Sequence, residues 1–190
     1  LDVASGNEIC RNGAAALLFV HQRERIPMPF TPFHFGPGLA LKGAFGRRLS
    51  FVAFAVANIA IDIEPAYYLL NGEPPLHRLA HSWLGAALLA TLLFALWLPL
   101  RWLARRMWRS RNWSWLQALR SAAGAPVWLG LMLGTLSHIA LDSLMHADMQ
   151  PFAPFAADNP WLGLMSLEQL LWLCIMAGIA AAPIIVLRRE

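Results

Sequence analysis

Three long apolar runs constrain the fold of this chain more than any other sequence feature. They cover residues 82–100, 125–145 and 167–187. Each has close to the ~20 residues that an α-helix needs to cross the hydrocarbon core of a bilayer. Only 14% of the residues are charged, against roughly 25% in a soluble domain. The pattern therefore predicts an all-α, polytopic membrane bundle with three full spans.

Two shorter apolar stretches precede these spans, at residues 33–45 and 49–61, and a basic Gly-Arg-Arg segment separates them. Each is marginal as a span, so we interpret the pair as a short N-terminal helical hairpin packed against the spans. Residues 1–27 differ in character, because charges flank an apolar run that is too short to cross a membrane. We expect 1–27 to be a non-native or disordered leader and 28–190 to form one membrane-embedded domain.

The basic residues predict which side of the bundle faces the cytoplasm, because short cytoplasmic loops carry an excess of Lys and Arg. The segment 101–120 contains six Arg interleaved with four Trp, typical of a loop at the membrane surface. Threading the chain places further cations on the same side: Lys42, Arg47, Arg48, Arg188 and Arg189. We expect this loop and the C-terminus to be cytoplasmic and to contact membrane lipids. Nucleic acid, which a net charge of +4 also permits, is not an expected partner.

The same threading brings the histidines and several carboxylates to the opposite, outer face. Every His after residue 27 maps there, together with four carboxylates: His34, His77, His81, His138, His146, Asp62, Glu64, Asp142 and Asp148. Ionisable groups at membrane depth are costly and usually functional. His138 and Asp142 are four residues apart and share a helix face, and the same spacing relates His77 to His81. With Asp62 from a third helix, the His138/Asp142 and His77/His81 pairs can surround a zinc, manganese or iron ion. The remaining His and carboxylate side chains supply enough ligands for a second ion.

Four ordered motifs give the chain a resemblance to a known family. They are Phe33-His34-Phe35-Gly36, Asp62-Ile63-Glu64, His77-Arg78-Leu79-Ala80-His81-Ser82 and Ser137-His138-Ile139-Ala140-Leu141-Asp142. Together with a Pro- and aromatic-containing loop at 151–155, they resemble the LexA-regulated, inner-membrane YdjM-like proteins, which are regarded as metal-dependent hydrolases. The resemblance covers about residues 28–155. Two departures are Glu64 in place of an Asp, and a shorter gap between the histidines, which leaves open whether His77 or His81 is the ligand.

The resemblance implies a multi-pass protein of the bacterial inner membrane with a metal-dependent hydrolase activity. The family is also distantly similar to zinc-dependent phospholipases C and single-strand nucleases, which implies hydrolysis of a phosphoester. Because the site is expected at headgroup depth, a lipid or lipid-linked substrate is the natural candidate. Glu64 or His77 is expected to act as the base or to orient a ligand, and Arg78 to hold a substrate phosphate.

The ligands expected for a first ion, with zinc the first choice, form one set: Asp62, His81, His138 and Asp142. His81 is preferred over His77 because Ser82 follows it, as in the family motif. His34 is expected to join through a second ion with Asp142 as the bridge, and His146 is a further candidate ligand.

Two other functions remain open at this point. The His pairs could be axial ligands of haem or proton relays in a transport bundle, or the polar residues could only stabilise helix ends in a structural membrane protein. A carboxylate beside His138 favours a hard cation over a porphyrin.

Overall fold

The computed structural model describes residues 31–107 and 123–188, in which the regular structure is entirely helical. Four helical segments there are long and apolar enough to cross a membrane: Phe51–Asn71, Trp83–Met107, Gly124–Asp142 and Leu167–Leu187. The predicted all-α, polytopic bundle is therefore confirmed. The expectations for residues 1–27, and for most of the Arg-rich loop, fall outside the described residues.

The described part contains six α-helices and three short 3-10 turns. In chain order these are a 3-10 turn Thr31–His34, α1 Phe35–Phe45, a 3-10 turn Gly46–Arg48, α2 Phe51–Ile61, α3 Ile63–Asn71, a 3-10 turn Leu79–His81, α4 Trp83–Met107, α5 Gly124–Asp142 and α6 Leu167–Leu187. Only Asp62 separates α2 from α3, so the second arm of the expected hairpin continues well beyond Ile61. The two arms also pack on different partners, α1 on α6 and α2 on α5.

Glycines allow α5 to approach α2 closely. A Cβ at Gly130 would overlap the Ser50 carbonyl oxygen, and one at Gly134 would lie 2.7 Å from that of Phe54. No larger residue fits at either position without a shift of backbone. This is the close packing that GxxxG spacing favours, and it brings the last turn of α5 beside the end of α2.

Several cationic side chains lie at the end of the bundle where α1 ends and α2 begins. There, Arg188 donates to the Gly43 carbonyl at 2.6 Å and Lys42 donates to the Gly46 carbonyl at 2.9 Å. The Ser50 amide donates to the Pro126 carbonyl at 3.0 Å, which joins the start of α2 to the start of α5. The end of α2, the start of α4 and the end of α5 consequently meet at the other end of the bundle.

Candidate metal centre

Four side chains converge where these helix ends meet. Asp62 follows α2, His81 ends the 3-10 turn before α4, and His138 and Asp142 occupy the last turn of α5. One ligand atom from each lies within 4.8 Å of every other. The two imidazoles and Asp142 are buried, whereas the Asp62 side chain is 30% exposed. This four-residue group is the set predicted for a first ion, and it could hold one.

The ligand atoms of the four-residue group are close together but poorly satisfied. His138 Nε2 lies 3.1 Å from Asp62 Oδ1 and 3.0 Å from Asp142 Oδ2, yet neither approach has hydrogen-bond geometry. His81 Nε2 and Asp142 Oδ1 are likewise buried without a hydrogen bond. Such an atom costs about 1–3 kcal/mol, and a coordinated cation would remove that cost. Imidazole nitrogens and carboxylate oxygens are also the donor types that zinc takes, so the residues fit a metal ion.

Glu64 fixes the orientation of His81. Glu64 Oε2 lies 3.1 Å from His81 Nδ1, and its carboxylate also accepts the backbone amides of Arg78 at 3.2 Å and Ala80 at 3.0 Å. A carboxylate can only accept, so the His81 proton is on Nδ1 and Nε2 is left as a free lone pair in the four-residue group. Burial lowers the pKa of His81, against the hydrogen bond to Glu64 that raises it. Of the two roles predicted for Glu64, this geometry favours orientation of the His81 ligand and not action as a general base.

Asn58 fixes the orientation of His138, a role that was not predicted from the sequence. Asn58 Oδ1 lies 3.2 Å from His138 Nδ1, and Asn58 Nδ2 donates to the carbonyls of Phe54 at 3.0 Å and Gly134 at 3.3 Å. Because the amide nitrogen is used elsewhere, His138 Nδ1 is the donor and Nε2 is available to a metal. A signal was present: Asn58 is the one polar residue of the 51–61 run and precedes Asp62 by one helical turn.

His34 adjoins the four-residue group from the turn before α1. Its Nε2 lies 3.1 Å from Asp142 Oδ1, and its ring centroid lies 4.4 Å from that of His138. The two oxygens of Asp142 therefore face different imidazoles, Oδ1 facing His34 and Oδ2 facing His138. The expected second ion, bridged by Asp142 and bound by His34, stays a prediction.

The remaining histidines form a second group with Asp148. One ligand atom each from His77, His146 and Asp148 lies within 4.8 Å of the others. Helix α5 ends at Asp142, so His146 leaves the face that carries His138. The ring of His77 lies 4.2 Å from that of His146 and 4.8 Å from that of His81. Of the two candidates for the first ion, His81 thus belongs to the four-residue group and His77 does not.

The prediction that His77 and His81 share a helix face is wrong. Arg78, between them, has φ −113° and ψ −132°, which no helix accommodates. The Glu64 carboxylate accepts the backbone amides of Arg78 and Ala80, which holds this segment in a non-helical conformation. The two rings still touch, edge to face, but each enters a different ligand group.

In the second group, the protonation states suit metal binding. Burial lowers the pKa of His146 to about 4, so its imidazole is neutral at pH 7. Burial raises the pKa of Asp148, but the hydrogen bond and charge of His77 and two backbone amides together hold it well below its usual range. A neutral imidazole and an ionised carboxylate are the forms that bind cations.

A cleft of about 800 Å³ opens beside the second group, a volume typical of small-molecule pockets. His77, His146 and Asp148 form its polar part. The rest is largely apolar, with contributions from Leu76, Leu144, Met145, Leu162, Met165 and Leu167. An amphiphilic molecule would find both a polar end and an apolar wall here.

The Arg78 side chain is turned toward its own loop. Its guanidinium lies 3.5 Å from the centroid of the Tyr68 ring and donates to the carbonyls of Pro75 at 3.0 Å and Glu73 at 3.1 Å. These contacts give no support to the phosphate-binding role, which stays a prediction.

Replacing Glu64 with Gln should weaken metal binding about 10–100-fold, the usual cost of losing a group that orients a ligand. The amide of Gln offers fewer acceptor sites to the three donors that Glu64 serves and no longer fixes the His81 proton. Metal affinity measured by competition with a chromogenic chelator checks this. Glu73→Gln, an exposed carboxylate in the same region, is the control and should bind as the wild type does. Equal affinities in both variants would contradict the orienting role.

A family model described as YdjM inner membrane protein matches residues 14–189. The match confirms the resemblance drawn from the four motifs and extends it in both directions. No curated protein and no solved structure matches the chain.

Proposed function

Because the chain belongs to the YdjM inner membrane protein family, we propose that it acts in the bacterial inner membrane as a metal-dependent phosphoester hydrolase. One observation carries the proposal: a buried His/Asp group in which three ligand-type atoms, one each from His81, His138 and Asp142, have no hydrogen-bond partner. A bundle that used these residues only to stabilise helix ends would gain nothing from leaving them unpaired.

Zinc is the proposed metal, and the four-residue group is its proposed site. Two imidazoles and two carboxylates match the donor preference of zinc. Glu64 and Asn58 accept the Nδ1 protons of the two rings, so each Nε2 faces the other members of the group. When bound, the ion would supply a Lewis acid and lower the pKa of coordinated water to about 7.

The protein's own residues define how water and substrate reach the site. Asp62 is the most exposed member of the four-residue group, so the approach is from its side. Hydrolysis adds the oxygen of water to phosphorus and breaks the ester P–O bond, and the alcohol leaves with a proton. Asn58 and Glu64 keep the two imidazoles in place throughout, which preserves the geometry that the reaction requires.

A lipid or lipid-linked substrate is proposed from position and shape. Three members of the site lie at or near the ends of candidate spans, His81 just before Trp83–Met107 and His138 and Asp142 in the last turn of Gly124–Asp142. The neighbouring cleft is largely apolar with a polar side. A phosphoester at headgroup depth could reach the site while its apolar chain occupies the cleft.

We place the site on the extracytoplasmic face. Four cations, Lys42, Arg47, Arg48 and Arg188, lie at the opposite end of the bundle, whereas Arg78 lies at the end that carries the site. An excess of cations favours the cytoplasmic side.

Purified protein in detergent should release phosphate or a phosphorylated headgroup from phospholipid, or hydrolyse bis(p-nitrophenyl) phosphate. Chelator should abolish the activity and added zinc should restore it, because the ion supplies the electrophile. Activity that survives complete metal removal would contradict the proposal. A Soret band on purified protein would instead support the haem alternative.

Vesicles of opposite orientation test the sidedness in the same assay. A membrane-impermeant phosphodiester should be hydrolysed by right-side-out vesicles and spared by intact inverted vesicles. The reverse result would place the site in the cytoplasm.

A further inference from the structure

The group formed by His77, His146 and Asp148 has no part in the proposed hydrolysis. His77 comes from the loop before α4, and His146 and Asp148 come from the loop after α5. Their ligand atoms lie within 4.8 Å of one another, and all three residues line the cleft. We propose that they form a second, separate divalent-cation site on the wall of this cleft.

Loop stabilisation accounts for only part of this arrangement. Asp148 Oδ2 accepts the amides of Leu76 at 2.9 Å and His77 at 3.2 Å, and Asp148 Oδ1 lies 2.9 Å from His77 Nδ1. These contacts join the loop before α4 to the loop after α5, and none of them involves His146. His146 nevertheless packs against His77, with 4.2 Å between ring centroids and the ring planes tilted by 34°, and its Nε2 is buried with no hydrogen-bond partner. A cation bound at His146 Nε2 would account for the position of this imidazole beside His77.

The second site opens onto the cleft, whereas His81, His138 and Asp142 of the four-residue group are buried. The Asp148 side chain is 33% exposed, and the adjoining cleft is wide enough for a hydrated ion. A ligand set of two imidazoles and one carboxylate leaves further coordination positions for water or substrate, as in open catalytic sites.

The proposal of a second site does not depend on the proposed hydrolase activity, because it concerns metal binding alone. It does bear on the role of His77, which would bind a cation instead of acting as a base. The His77 ring touches that of His81, with centroids 4.8 Å apart, so the two groups are neighbours.

Metal content of the purified full-length protein tests the proposal, measured by elemental analysis after loading with zinc and removal of free metal. His146→Ala should bind one equivalent less than the wild type while keeping the ion of the four-residue group. Asp142→Asn should also lose one equivalent, and the double variant should lose both. Asp158→Asn, an exposed carboxylate in the same outer loop, should match the wild type. His146→Gln, which keeps the size of the side chain, replaces His146→Ala if the latter does not fold.

Titration with Co²⁺ gives a second readout, because each occupied site contributes visible absorption with its own saturation point. Equal metal content in His146→Ala and the wild type would overturn the second site. Loss of all metal in His146→Ala would also overturn it, since the two groups would then share one ion. Full metal content without hydrolysis of any lipid phosphoester would refute the proposed function and leave the second site standing.

Discussion

Replacing Asp142 with Asn is expected to remove the ion of the four-residue group and to abolish hydrolysis. Asp142 Oδ2 lies 3.0 Å from His138 Nε2 and 3.9 Å from His81 Nε2, and Oδ1 lies 3.1 Å from His34 Nε2. An amide keeps the shape of the side chain but removes its negative charge. Mutation of a residue that only orients a ligand lowers metal affinity about 10–100-fold. Loss of a central ligand should therefore lower the affinity more than about 100-fold.

Elemental analysis and the phosphodiester assay measure the two effects on the same preparation. Asp158→Asn is the matched control, because it makes the same chemical change at an exposed position. Thermal unfolding in detergent shows whether Asp142→Asn retains the fold. Full metal content in a folded Asp142→Asn protein would refute the assignment of the four-residue group.

Replacing Gly134 with Ala is expected to destabilise the bundle and disturb the site from a distance. The added Cβ would lie 2.7 Å from the Phe54 carbonyl oxygen and 2.8 Å from the Ala57 Cβ, neither of which can move without shifting α2. Overpacking of this kind typically costs about 1–3 kcal/mol of unfolding free energy. Helix α5 must move away from α2, which stretches the Asn58 hydrogen bonds to Gly134 and His138. Metal affinity should therefore fall together with stability.

Gly124→Ala provides the control on the same helix. A Cβ there would meet only the tip of the Phe94 ring, at 3.8 Å, an ordinary contact. Since Ala favours helix over Gly by up to ~1 kcal/mol, Gly124→Ala should be neutral or slightly stabilising. Thermal unfolding followed by tryptophan fluorescence in detergent compares the two variants. Equal stability of both would show that close contact between α5 and α2 is not required.

Side-chain partners were the part of the site that the sequence could not supply. Threading predicted that Asp62, His138, Asp142 and both His77 and His81 fall at the same end of the bundle, and the resemblance to the family motif selected His81. Asn58 was missed, since its role depends on His138, which is 80 residues away in the chain. A residue that acts through a distant partner leaves no local pattern in one sequence.

The sequence by itself determined the helical class, the long spans and the separation of cations from His and carboxylates, because segment length and charge placement are local properties that the bilayer constrains directly. Only the tertiary structure decided how the histidines divide. Helix α5 ends at Asp142, and the backbone at Arg78 is not helical, so His81 joins His138 while His77 joins His146. Those directions depend on how loops from different helices bind one another's backbone amides, as Glu64 and Asp148 do, and sequence spacing carries no information about such contacts.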